Sequence, residues 1–184
     1  MNNFFRFFNL PLLKIPLLFG LISALLGFCY FLALYFMGII PLGNNKVLDF
    51  GFFVILNAVC CWYYRKAIGN GVLHLWEGIT IGYVINTSGA LILGWLIYFF
   101  VTFIDPVVLT DYISEMQNLL TSTKENMMKE MKMTETDYQK LYNDVSNTTS
   151  MDLIMDELGK KTIMGVLPVL AIALIFRKRP AQQL

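Results

Sequence analysis

The chain has 184 residues, of which 57% are hydrophobic and 15% charged, with a mean hydropathy of +0.59 and a formal net charge of +1. That is a membrane-protein composition, and the near-zero net charge gives no basis for nucleic acid as a partner. A single histidine, His74, removes His-based metal sites and most catalytic triads, and the three cysteines all fall in apolar stretches, so no extramembrane disulfide is expected.

In chain order, residues 1–14 place Phe4, Phe5, Phe7, Phe8 and Leu10 around Arg6, the pattern of a segment lying on a membrane surface. The apolar run from Ile15 to Ile40 is too long for the core of a signal peptide and is read as a retained first span. A short loop, Pro41–Asp49, makes the next helix antiparallel. The second span, about Val47–Tyr64, is near the minimum length for a hydrocarbon core of roughly 30 Å, and Trp62, Tyr63 and Tyr64 precede Arg65 and Lys66 as at a membrane interface. Gly69, Asn70 and Gly71 mark a turn. The third span, about Leu75–Ile104, is long enough to tilt or to project beyond the bilayer.

Residues 105–161 are the one sizeable polar region, without strand alternation. Tyr112, Ile113, Met116, Leu119 and Leu120 recur at helical spacing, and Met127, Met131, Tyr138, Leu141 and Val145 continue it. Ser122-Thr-Lys-Glu125 reads as a capping box that starts a new helix. Ser146–Ser150 reads as a turn, followed by a short helix to Gly159. The fourth span, about Thr162–Phe176, is short and contains Pro168; Lys160 and Lys161 are expected to snorkel at one end while Arg177, Lys178 and Arg179 anchor the other.

Charge sorts by side. The odd-numbered polar segments carry Arg6, Lys14, Arg65, Lys66, Arg177, Lys178 and Arg179 against Glu77, a net of +6; the even-numbered segments hold the remaining seven lysines and twelve acids, a net of −5. Basic residues near span ends stay in the cytoplasm, so both termini are expected inside and residues 105–161 outside.

Few residues are placed for chemistry. Gly78, Gly82, Asn86, Ala90 and Gly94 are four apart on the third span and form one ridge. Small residues at that spacing admit a second helix, and Asn86 can hydrogen-bond across the contact. The simplest use is packing within the protein's own bundle; self-association or docking on another membrane subunit are the alternatives, and Asn57, Asn86, Thr87 and Ser88 are the candidate lining of a polar pore. No ionisable residue is expected in the middle of a span, which argues against a proton relay. His74 and Glu77, three apart, lack a third ligand or a nucleophile and read as an interfacial polar pair. Met127, Met128, Met131 and Met133 have thioether spacing suited to Cu(I), but more simply form an adaptable apolar face. Asn147-Thr-Thr149 matches a glycosylation sequon, and Gly69-Asn-Gly71 lacks the context of a phosphate loop. No metal, cofactor or catalytic residue is expected.

Tyr63-Tyr-Arg-Lys66, Gly69-Asn-Gly71, the run Val72–Gly82 and Phe103-Ile-Asp-Pro106 together resemble the DUF4199 family of small bacterial membrane proteins. The resemblance implies four membrane helices and a bacterial inner-membrane location; it brings no activity, substrate or catalytic residue. The expected fold is all-α: an interfacial segment (1–14), three transmembrane helices (15–104), an extracytoplasmic helical domain (105–161), and a fourth transmembrane helix with a basic tail (162–184). The expected function is non-enzymatic, a multi-pass subunit or accessory of a larger envelope complex whose partners are the lipid bilayer and other membrane subunits or a second copy. A small oligomeric transporter or channel is the alternative.

Overall fold

A computed structural model describes residues 11–130 and 133–177. The predicted interfacial segment therefore lies almost wholly outside the described residues, as do Met131, Lys132, Lys178 and Arg179. The described residues form seven α-helices and no strand: α1 (Pro11–Phe36), α2 (Asp49–Ala67), α3 (Leu75–Phe99), α4 (Val107–Glu130), α5 (Glu135–Ser146), α6 (Ser150–Met164) and α7 (Val166–Phe176). A 3-10 turn, Gly43–Lys46, precedes α2, and a π-helical turn, Phe100–Ile104, extends α3.

Among the described residues two helices are long and apolar enough to cross a membrane: α1, with 26 residues, and α3 with its π turn, with 30. The bent pair α6–α7 makes a third if the two helices, inclined at 41°, count as one span. α2 has 19 residues but carries Asp49, Asn57, Arg65 and Lys66 and falls below that threshold.

α1 and α3 run parallel. A Cβ built on Gly20 would lie 3.3 Å from the Gly89 nitrogen, one on Gly27 would lie 3.0 Å from a Leu93 methyl, and the Tyr35 hydroxyl donates to Asp105 at 2.9 Å. α2 and α6–α7 run antiparallel to them: Asn57 meets Asn86, and Gly78, Gly82 and Gly94 face Ala173, Val169 and Ile154 in turn. Phe31, Phe53, Ile81, Ile85, Leu93 and Ile97 are fully buried between these helices. Lipid tails are as apolar as leucine, so association here rests on close packing at small residues rather than on removal from water. The connection from α2 to α3 is tight because Asn70 (φ 48°) and Gly71 (φ 86°) adopt the left-handed conformation.

α4 and α5 form a hairpin beyond the end of the bundle. Gln117 Nε2 donates to Ser146 Oγ at 2.8 Å, Lys124 pairs with Glu135 at 2.6 Å, and the same ammonium lies 4.6 Å from the centre of the Tyr138 ring.

The structure corrects three expectations. No helix starts at Ser122: α4 runs through it, and the Ser122 hydroxyl donates to the Leu119 carbonyl one turn back. The chain breaks instead before Thr134, whose hydroxyl accepts from the Asp137 N–H. The second correction is at residues 160–162, where no boundary falls: α6 runs to Met164 and the break is at Gly165. The third is that Lys161 does not snorkel, being 4% exposed inside the protein.

Candidate functional site

Four charged side chains close a ring in the interior. Lys46 ends the 3-10 turn, Asp49 opens α2, and Glu157 and Lys161 stand one turn apart on α6. Lys46 Nζ lies 2.5 Å from Glu157 and 3.4 Å from Asp49. Lys161 Nζ donates to Asp49 at 3.0 Å and also bonds to Glu157. All four are buried, with exposures of 3–8%. Two ammonium and two carboxylate groups make the ring neutral. That is the condition under which buried charges persist, since each alone carries a desolvation penalty of several kcal/mol.

The ring sits beside the central turns of α3 and the second half of α1. The Lys161 ammonium is 5.2 Å from the centre of the Phe53 ring. Phe53 in turn abuts Gly89, where a Cβ would fall 2.6 Å from its ring, and Gly89 is midway along Leu75–Ile104. A Cβ on Gly27 of α1 would lie 3.9 Å from the Asp49 Cβ. The expected absence of ionisable groups from the middle of every span does not hold in the bent α6–α7 pair: Glu157 and Lys161 stand well inside it, while Lys46 and Asp49 enter at the start of α2. One signal was available. Glu157 and Lys161 share the helical face of Leu153 and Ile154, the buried face of α6.

One turn further along, Asn57 Nδ2 donates to Asn86 Oδ1 at 2.9 Å, both side chains being buried. Gly165 gives the Asn86 amide its space, because a Cβ there would lie 2.1 Å from Asn86 Nδ2. Among the described residues, Asn57 Oδ1 and Thr162 Oγ1 are buried without a hydrogen-bond partner.

A cleft of about 170 Å³ leads to the ring between the 3-10 turn, the start of α2 and α6. Gly43, Lys46, Asp49, Glu157, Lys160 and Lys161 line its polar part, and Val47, Phe50 and Met164 its apolar rim. Lys160 is exposed and pairs with Asp156 at 2.5 Å.

The predicted ridge lies inside the bundle, covered by α6 and α7. Gly78, Gly82 and Gly94 touch Ala173, Val169 and Ile154, Asn86 meets Gly165, and Ala90 is fully buried. Of the candidate pore residues, Asn57 and Asn86 meet, whereas the Ser88 hydroxyl is turned back onto the Val84 carbonyl, and Thr87 is half-buried. His74 and Glu77 form the start of α3, the His74 N–H donating to the Glu77 carboxylate at 2.8 Å. Met127, Met128 and Met133 are half-buried, and Met131 lies outside the described residues. Among the described residues no three His, Cys, Asp or Glu side chains are grouped as metal ligands. Cys60 and Cys61 are buried on α2, and Cys29 is exposed on α1.

No curated protein and no solved structure is significantly similar to the chain. A family model described as "Protein of unknown function (DUF4199)" matches residues 18–178, most of the chain, and the protein belongs to that family.

Proposed function

We propose, from membership of the DUF4199 family, that this chain is a non-enzymatic multi-pass protein of the bacterial inner membrane that works by contact, as a subunit or accessory of a larger envelope complex. The observation that carries the reading is the α4–α5 hairpin. Its first turns pack on the bundle through Val108 and Tyr112, the rest carries mostly exposed polar residues, and its two helices pack on each other. The small-residue ridge is already occupied by the chain's own α6 and α7, which leaves the hairpin as the surface for recognition.

In this reading the chain crosses the membrane four times, through α1, α2, α3 and the α6–α7 pair. Arg65 and Lys66 end α2, and Arg65 reaches the carbonyl of Phe176 at the end of α7, so basic groups gather at one end of the bundle. That end faces the cytoplasm by the positive-inside rule, and the hairpin faces the periplasm. Purification from native membranes in mild detergent, followed by mass spectrometry, tests the function. Co-purifying membrane subunits, lost when residues 112–145 are replaced by a short linker, are the expected result; recovery of the intact chain as a lone monomer counts against it.

A second reading, a small transporter or channel, is favoured by the charged ring buried among the helices, because ionisable groups inside a membrane bundle are costly and mark pathways for ions and solutes. Solute flux in proteoliposomes that disappears in Asn86→Leu supports it.

A further inference from the structure

The cleft beside the charged ring has the make-up of a headgroup site. Its base is polar and its rim apolar: Val47 and Met164 are 56% and 57% exposed at the edge, beside Phe50. Lys46, Lys160 and Lys161 outnumber Asp49 and Glu157 among the lining residues, and Asp156, the partner of Lys160, stands outside the lining, so three ammonium groups border the cleft. Lys46 has three N–H donors; Glu157 accepts one at 2.5 Å and Asp49 stands at 3.4 Å, which leaves at least one donor without a partner among the described residues. A buried ammonium 4% exposed therefore holds donor capacity beside a void of about 170 Å³, where a single water needs only about 10–15 Å³ of such space. Asp49 and Glu157 are committed to the ring, so a cation entering the cleft would find three ammonium groups and no free carboxylate.

We propose that this cleft binds an anionic oxygen group, a carboxylate or a phosphate, borne by a membrane amphiphile whose tail leaves over Val47, Phe50 and Met164. Lys46 supplies a buried donor and Lys160, at the mouth, exchanges its contact with Asp156 for the ligand. The ring holds the two ammonium groups of its own members in place.

The full-length protein is reconstituted in nanodiscs of phosphatidylcholine, and its thermal unfolding is followed as phosphatidylglycerol is added or as inorganic phosphate is titrated. The expected result is a rise in the midpoint with phosphatidylglycerol, with apparent affinity weakened about tenfold in Lys160→Gln and unchanged in Lys66→Gln at the opposite end of the bundle. Lys160 lies outside the ring, so that variant keeps the fold. A rise with phosphatidylglycerol alone identifies a lipid headgroup as the ligand, and a rise with phosphate as well identifies the anion itself. No rise with either, or a rise indifferent to Lys160→Gln, overturns the proposal.

Discussion

Asn in place of Asp49 would leave Lys161 with one carboxylate and Lys46 with one, so a neutral ring becomes a buried positive site. Breaking a buried ion network from one side costs about 3–5 kcal/mol, and Asp49→Asn is expected to lower the denaturation midpoint in detergent accordingly. Replacing all four members with Leu or Met should recover most of that loss, because no charge is then stranded. The glycines make a steric prediction. A Cβ at Gly82 would fall 2.6 Å from both Val169 methyl carbons, so Gly82→Val is expected to cost about 1–3 kcal/mol by overpacking, again read by thermal unfolding. Gly78, Gly82 and Gly94 were legible as a packing ridge because spacing by four is a local property of a helix. The ring was not, because Lys46 and Asp49 stand more than a hundred residues from Glu157 and Lys161, and each pair taken alone looks like an ordinary span end.

Helix existence followed from periodicity, while helix ends depended on which local cap the tertiary structure used. Ser122-x-x-Glu125 and Thr134-x-x-Asp137 offer similar capping patterns, yet only the second sits at a break. Across the first, α4 continues, and the Ser122 hydroxyl bonds within the helix. Thr134→Ala is expected to loosen the start of α5 by about 1 kcal/mol, seen as faster amide hydrogen exchange over Glu135–Tyr138 with little change in the bundle. The hairpin also carries a pH response. The Lys124 ammonium bonded to Glu135 holds that carboxyl below its usual range. The contribution of this pair is present above the unfolded carboxylate range and is lost as pH falls through the lowered value. Protection of the hairpin amides, measured against their intrinsic exchange rates, should therefore fall on acidification, and Lys124→Gln should weaken that dependence.

For the molecule as a whole, orientation is the sharpest expectation. A cysteine introduced at Lys132 should react with an impermeant label added from the periplasm, while one placed after Arg179 should not; the reverse pattern inverts the proposed topology. The architecture has a further consequence for how the chain is made. Among the described residues α1 and α3 are each apolar enough to cross a bilayer as single helices, and the bent α6–α7 pair is so when taken together; α2 begins with Asp49, and α6 brings Glu157 and Lys161 to the same level. Until α6 is synthesised, Lys46 and Asp49 have only each other, and Asp49 lacks the hydrogen bond from Lys161. In the four-span reading α1 and α3 run parallel, so the chain between them has to cross the bilayer too, and α2 enters with Asp49 held by Lys46 alone until α6 arrives. Ribosome-bound chains ending before Ser150 should accordingly leave a cysteine placed at Asp49 open to a water-soluble label, and chains reaching past Phe176 should close it off.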